Sequence, residues 1–322
     1  MIAVDGLGGD FAPHAVIDAV IAAAKEDIPV LLCGPEKKMV RYLAEQCEDW
    51  EKLDITIRHA PDLIGMAEEP VLAFRKKQNS SLVQSVQAVR DGDAKAIVSA
   101  GNSGAIMTAA LFLLGRQDGI ERPAIAGLLP TLKGPVIALD LGANVDCKPH
   151  WLYQFAAMGA DYAKQLFSLP APRIALLSNG AERGKGSALV KQVTHLLEDS
   201  PFNFVGNVEP IDIVNHCADV IVCDGFSGNV LLKTMEATAH MVKHAFAHQF
   251  SSGGMKRDAD GGAQLAESVE NALSAIEERF GESAHAGARL LGVNGAVIVG
   301  HGSAHAESIL RSIRKAWSIV KE

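Results

Sequence analysis

The stretch from Ala218 to Ala237 reads ADVIVCDGFSGNVLLKTMEA. An apolar run leads into Asp224, Gly225, Ser227, Gly228 and Asn229, and a helical pattern continues through Lys233. An acid, small residues and an amide at a strand-to-helix turn are caps and hydrogen-bond donors rather than nucleophiles. Similar turns recur along the chain. Gly101, Asn102, Ser103 and Gly104 follow AIVSA; Asn144 lies in LDLGANVD; Asn179 and Lys185 lie in SNGAERGKGS; His301 lies in GHGSAH. Neutral amides, helix starts and a few lysines stabilise anions and developing oxyanions. That chemistry suits a phosphate or the tetrahedral intermediate of an acyl transfer, with no covalent enzyme intermediate required.

Several stretches approach known chemical motifs and miss. GAERGKGS has the composition of a P-loop, but Gly180 and Gly184 stand one residue too close, and Gly186 replaces the magnesium-binding hydroxyl. Backbone N–H groups and Lys185 still suit an anion there. DGLGGDF begins like a dinucleotide fingerprint, yet Phe11 takes the third glycine position. GNSGA and GFSGN place glycine directly after serine, so Ser103 and Ser227 lack nucleophile-elbow spacing and are left as hydrogen-bond donors. No two aspartates are four positions apart, and His301 and His305 have no acidic third ligand evident. His240, His244 and His248 continue one helical face from Glu236, where a solvated polar face is the simpler account. Neither a metal nor a cofactor is expected.

Strands and helices must alternate to position these turns. Strand-like runs stand at 2–4, 30–33, 54–58 and 96–100, then in IAGLLP, VIALDLG, RIALLSNG, FNFVGNV and DVIVCDG, and last at 296–300. Unbroken apolar strands between helices predict an α/β/α sandwich with a parallel-rich mixed sheet. Ligands of open α/β sheets bind at strand carboxyl ends, so the six glycine turns are expected to share one cleft. The length of 322 residues is read as one domain, 1–322, with a helical, mobile insertion at about 251–283. Within it SSGGMKRDADGG predicts a loop, and Leu265, Val269, Leu273, Ile276 and Phe280 predict a helix over 264–280.

Composition narrows the classes further. A net charge of −8 argues against nucleic acid as a partner. Five cysteines without a C-x-x-C pair fit reduced thiols in a cytoplasmic protein. A strand at the very start leaves no place for a signal peptide, and no apolar run approaches the ~20 residues of a membrane span.

The motifs AVDGLGGDFAP, EEPVLAFRKKQNSS, SAGNSGAIMTAALF, GIERPAIAGLLPT, LDLGANVDCKP, FVGNVE, DVIVCDGFSGNVLLKTMEA and LLGVNGAVIVGHGSA run in order along nearly the whole chain. Together they resemble the PlsX-type phosphate acyltransferases. The resemblance implies transfer of a fatty acyl group from acyl-[acyl carrier protein] to inorganic phosphate. The acyl phosphate would feed a membrane glycerol-3-phosphate acyltransferase at the first step of phospholipid synthesis. It also implies a homodimer, no metal, and a fold similar to isocitrate dehydrogenases and phosphotransacetylases. Two departures stand out. Asn179 is one place off the family's usual N-I-G turn, and the late helix carries Glu267, Glu270, Glu277 and Glu278 where the family is often apolar and basic. A cytoplasmic location with peripheral membrane contact would then rest on Met255, Lys256 and Arg257.

On this resemblance the expected cradle joins the GNSG turn to the helix start at Asn229. Asn229 would donate to the oxyanion, Lys185 and Lys233 would neutralise phosphate or the departing thiolate, and Asp224 would orient the loop. Gly101, Asn102, Ser103, Gly104, Asn144, Gly225, Ser227, Gly228 and His301 are the expected phosphate and substrate contacts. Arg75, Lys76 and Lys77 are the expected dock for an acidic carrier protein, with Lys37, Lys38 and Arg41 as a second candidate. Two rival readings are a metal- and NAD-dependent decarboxylating dehydrogenase of similar fold and a non-catalytic phosphate- or lipid-binding adaptor.

Overall fold

The computed structural model describes residues 1–251 and 287–321, the last five of the first span by backbone only. The loop 251–262, apart from its first residue, and the helix 264–280 lie outside the described residues, as does the side chain of His248. The strands are β1 (Ile2–Asp5), β2 (Val30–Gly34), β3 (Ile55–His59), β4 (Ala96–Ser99), β5 (Ala124–Leu129) and β6 (Val136–Leu139), then β7 (Arg173–Leu177), β8 (Asn203–Val208), β9 (Val220–Val222), β10 (Ala288–Leu291) and β11 (Ala296–Val299). The helices are α1 (His14–Lys25), α2 (Glu36–Gln46), α3 (Pro70–Lys76), α4 (Ser81–Arg90) and α5 (Ser103–Leu113), then α6 (Pro149–Phe167), α7 (Ala188–Glu198), α8 (Pro210–Val214), α9 (Gly225–Ser251) and α10 (Ala306–Val320).

All described strands join one mixed sheet in the order β3-β2-β1-β4-β11-β10-β5-β6-β9-β7-β8. Their apolar runs are covered on both faces, which is why they do not alternate. In β1, Ile2 and Val4 enter the core under α1 and α10, while Ala3 faces the core under α4 and α5. In β9, Val220 and Val222 pack with Phe155 and Leu152 of α6, and Ile221 faces the other way. Burying side chains of this size contributes roughly 1.5–3 kcal/mol each. The α/β sandwich and the parallel-rich sheet are as the sequence predicts. Strand β10 is not among the expected strands: its four residues, ARLL, are too short to show a period of their own.

Strand direction corrects the expected single cleft. From β3 to β11 all neighbours are parallel, and so are β6, β9, β7 and β8. Between these blocks, β11–β10, β10–β5 and β5–β6 are all antiparallel. Three reversals leave the two blocks running in opposite senses. The glycine turns after β1, β4 and β11 therefore form one group, and those after β6, β7 and β9 form another at the opposite strand ends. Helix α9 starts in the second group and runs back toward the first.

Candidate functional site

The second group is held together by Asp140 at the end of β6. Its carboxylate is fully buried and accepts from Ile125 N–H at 3.0 Å, Ala143 N–H at 3.0 Å, Asn144 N–H at 2.6 Å and Asn144 Nδ2 at 2.9 Å. Burial pushes this acid's pKa up, and the bonds from Ala143, Asn144 and Ile125 oppose the rise. Asn144 spends its other amide hydrogen on the carbonyl of Pro123 at 2.8 Å. Its own carbonyl receives Gly225 N–H at 2.7 Å. Asn144 is thus a bracket between two loops, and its amide hydrogens are not available to phosphate.

The start of α9 docks on this bracket. A β-carbon on Gly225 would lie 2.6 Å from the Asn144 carbonyl oxygen, and one on Gly228 would overlap the carbonyl oxygen of Asp140. The two glycines, three apart, let the first helical turn lie against the loop below it. Asp224 caps that turn, accepting from Ser227 N–H and Ser227 Oγ, both at 2.8 Å, while its carbonyl accepts Gly228 N–H. Of the first four N–H groups of α9, only that of Phe226 has no acceptor among the described residues. This corrects the expectation of an open anion cradle here: Gly225, Ser227 and Gly228 serve docking and capping. The helix also begins four residues before Asn229, which therefore projects from its second turn. Asn229 is exposed beside Gly142, and its amide has no hydrogen-bond partner among the described residues.

The first group is packed just as closely. Asp5 is buried at the end of β1 and accepts from Ser99 Oγ at 2.7 Å. Burial raises its pKa, against the bonds from Ser99 and the turn backbone. Gly101 N–H is spent on Ser99 Oγ at 3.1 Å. Asn102 caps α5 through Ala105 N–H at 3.1 Å, and its Nδ2 donates to the carbonyls of Met66 and Glu68, each at 3.0 Å. Gly104 lets Pro70 approach: a β-carbon there would lie 2.6 Å from the proline ring. The N–H groups of Ser103 and Gly104, by contrast, have no acceptor among the described residues. Asp10 N–H reaches the Gly302 carbonyl at 2.8 Å, tying the turn after β1 to the one after β11.

One contact crosses between the groups. Lys233 Nζ bonds Glu236 Oε2 at 2.7 Å and also meets His301 Nε2. On the far side of the ring, His301 Nδ1 lies 2.6 Å from Ser303 Oγ and accepts from Ser303 N–H at 3.3 Å. Glu236 is buried, so the ammonium is fixed from beneath, with its side chain 42% exposed toward the groove. Asn229 and Lys233 line that groove together, in a volume of about 390 Å³ along α9. Lysine, histidine and carboxamide are three anion-favouring groups that α9 and the turn after β11 bring together.

Other expected residues lie elsewhere. Lys185 is exposed in the loop after β7 and has no acidic partner among the described residues. Asn179 holds that loop through Gly186 N–H at 2.8 Å. Just after α3, Lys77 is spent on Glu68 Oε1 at 2.6 Å and the Leu63 carbonyl at 2.7 Å, which corrects its place in a free basic patch. That hydrogen bond holds the Glu68 carboxyl below its usual range. Arg75 and Lys76 remain exposed, beside Leu72 and Phe112. Arg41 pairs with Glu45 at 3.4 Å. The residues not anticipated are Asp5, Ser99, Asp140, Glu236 and Ser303; of these, Glu236 had a readable signal, standing three positions after Lys233. Burial pushes the thiols of Cys147 and Cys33 up to about 12 and raises Cys223 as well, so they stay protonated near neutral pH. Among the described residues no group of three or more His, Cys, Asp or Glu could hold a metal ion, and no helix is long and apolar enough to cross a membrane.

The fold is similar to that of several phosphotransacetylases. A phosphotransacetylase from Streptococcus pyogenes superposes with a TM-score of 0.61 at 16% identity, over 100% of this chain and 94% of the other. The EutD phosphotransacetylase of Staphylococcus aureus gives 0.59 at 17% identity, over 99% and 94%. A 4-hydroxythreonine-4-phosphate dehydrogenase from Klebsiella pneumoniae gives 0.58 at 17% identity, over 100% and 98%. At these identities the likeness is one of fold. Sequence goes further. The chain matches the family described as "Fatty acid synthesis protein" over residues 1–322. It is 45% identical over 321 residues to the phosphate acyltransferase of Pelotomaculum thermopropionicum, spanning 99% of this chain and 91% of that one. It is 44% identical over 325 residues to the phosphate acyltransferase of Salinibacter ruber, spanning 100% and 94%. The chain belongs to this family, whose relatives at this identity are phosphate acyltransferases, and neither rival reading is favoured.

Proposed function

We propose that this protein transfers a fatty acyl group from an acyl-carrier thioester to inorganic phosphate. The observation that carries this is the fixed Lys233–His301 pair beside Asn229, in a chain with phosphate acyltransferase relatives along nearly its whole length. Hydrogen phosphate is a competent nucleophile near neutral pH, so the protein's task is placement and charge stabilisation. A phosphate oxygen attacks the thioester carbonyl carbon, the new C–O bond forms, and the C–S bond breaks. The proton lost by phosphate ends on the departing thiol, which balances the step. Lys233 and His301 hold the phosphate, Ser103 and Gly104 N–H add donors from the start of α5, and the free amide of Asn229 donates to the carbonyl oxygen. Asp224, Asn144 and Asp140 act by positioning α9. Lys185 is assigned to the departing thiolate.

The finer points belong to the same reading. Arg75 and Lys76 receive an acidic carrier domain. Phe226, Val230 and Met241 are 62%, 47% and 63% exposed on α9 and supply a face for a homodimer. The acyl phosphate passes to a membrane glycerol-3-phosphate acyltransferase from a cytoplasmic protein in peripheral contact with the bilayer. The test is incubation with acyl-carrier thioester and labelled phosphate, then trapping with hydroxylamine. Phosphate-dependent acyl hydroxamate is expected. Thioester cleavage that ignores phosphate, or none at all, overturns the reading.

A further inference from the structure

A second cavity lies on the other side of α9 from the groove of Asn229 and Lys233. It has a volume of about 420 Å³, within the range of roughly 300–1,000 Å³ usual for small-molecule sites. Leu128 of β5, Leu141 after β6, Leu166 of α6 and Leu232 of α9 form its apolar wall. Lys315 and Arg314 of α10 stand at one side, with Ser318 a turn further along.

The charges around this cavity are unbalanced. Arg314 is satisfied by Glu26, with bonds of 2.6 and 2.8 Å. Lys315 has no carboxylate among the described residues; its Nζ donates only to the carbonyl of Gly287 at 2.8 Å. Behind it Arg289 lies over the ring of Tyr162, 5.2 Å from the centroid, again with no acid among the described residues. The Tyr162 hydroxyl is buried with no hydrogen-bond partner among the described residues, one helical turn from Leu166 on α6. Burial, with Arg289 nearby, pushes the Lys315 pKa down to about 8. Buried cations are ordinarily paired. Lys315 thus lines an apolar chamber, with Arg289 and the Tyr162 hydroxyl behind it, and no described carboxylate balances its charge.

We infer that this cavity binds a long-chain acyl anion, with its anionic head on Lys315 and its chain against Leu128, Leu141, Leu166 and Leu232. A carboxylate or a phosphate would satisfy Lys315 equally, and the leucines ask only for an alkyl chain. The inference rests on the cavity alone and does not require the transfer reaction.

The test is direct binding to the full chain by calorimetry, at concentrations below micelle formation. The probes are palmitate, hexadecyl phosphate and uncharged 1-hexadecanol, so that the two anionic arms separate a fatty acid from a phosphorylated chain. Saturable binding of at least one anion is expected. Lys315→Met should weaken that anion about tenfold, the scale of one charge-assisted bond, and leave hexadecanol unchanged. Ser318→Trp, at an exposed position on the rim, should block all probes. Thermal unfolding of both variants establishes that they fold, and their basal transfer activity should be unaltered. Absence of saturable anion binding to the wild type overturns the inference. So does anion binding that Lys315→Met and Ser318→Trp leave untouched.

Discussion

The backbone carbonyl of Asp140 fills the space that a β-carbon at Gly228 would need. The end of a strand and the first turn of α9 touch there through main chain alone. Gly228→Ala must therefore push the helix off its bracket or break the Asn144–Gly225 bond. Forcing a methyl group into such a contact typically costs about 1–3 kcal/mol. Thermal unfolding should show a lowered midpoint for Gly228→Ala and Gly225→Ala, with Asn229→Ala as a control near wild type. An unshifted midpoint for Gly228→Ala would remove the close approach from the account of this motif.

Asn229 itself carries no structural duty among the described residues, which makes its removal informative about chemistry. Loss of one oxyanion donor usually costs about 10²–10³ in turnover. Asn229→Ala should lower acyl phosphate formation on that scale while changing stability by no more than ~0.5 kcal/mol, the usual range for an exposed position. Near-normal turnover would assign the oxyanion to another donor, with the N–H groups of Ser103 and Gly104 next in line.

Lys233 and His301 should behave as a unit. Lys233→Met and His301→Gln are each expected to raise the KM for phosphate, and the double variant to lose little beyond the worse single one. Coupling between contacting residues of this kind runs about 0.5–3 kcal/mol. Simple additivity in the double-mutant cycle would show that the two side chains act separately.

These pairs differ in how visible they are in the sequence. Lys233 and Glu236 are three apart on a helix, a spacing that can be read without a structure. Lys233 and His301 are 68 residues apart, and only the return of β11 to the sheet beside β4 brings them together. The alternation of strands and helices was legible because buried parallel strands are continuous apolar runs. The reversal of direction across β10 and β5 was not, since a strand's residues do not encode the sense of its neighbour. The same holds for DGFSGN. Its residue types suggest an anion site, but docking glycines and a capping acid have the same composition, and only the positions of Asn144 and Asp140 tell the two apart.

Carrier docking separates Lys77 from its neighbours. Arg75 and Lys76 are exposed and have no acidic partner among the described residues, so Arg75→Glu with Lys76→Glu should raise the KM for the acyl-carrier substrate at low salt, with little change in kcat. The effect should fade as salt rises, because exposed charges are screened over about 8–10 Å near physiological ionic strength. Lys77→Met should act differently, freeing the loop of Leu63 and Glu68 with an effect that salt does not relieve. A KM unmoved by the double reversal at low salt places the dock elsewhere.

Lys315 gives the molecule a pH dependence whose sign follows from its surroundings. Near it are Arg289 on β10, which lies over the Tyr162 ring of α6, and Arg314 on its own helix, which is engaged by Glu26. Its pKa falls from 10.5 to about 8 because burial, then Arg289, disfavours the charged form. A depressed folded-state value means that the unfolded chain binds more protons between about pH 8 and 10.5, so this group's contribution to stability grows with pH across that window. It is fully present above the unfolded value and lost as pH falls through about 8. Lys315→Met should flatten that part of the stability profile, measured by denaturant unfolding at several pH values, and should stabilise the fold most near neutrality. Binding of hexadecyl phosphate should run the opposite way, strongest below pH 8 and weakening above it as the ammonium loses its proton. An identical pH profile in the wild type and in Lys315→Met, with and without the alkyl phosphate, would show that Lys315 is solvated and that no anion completes the cavity.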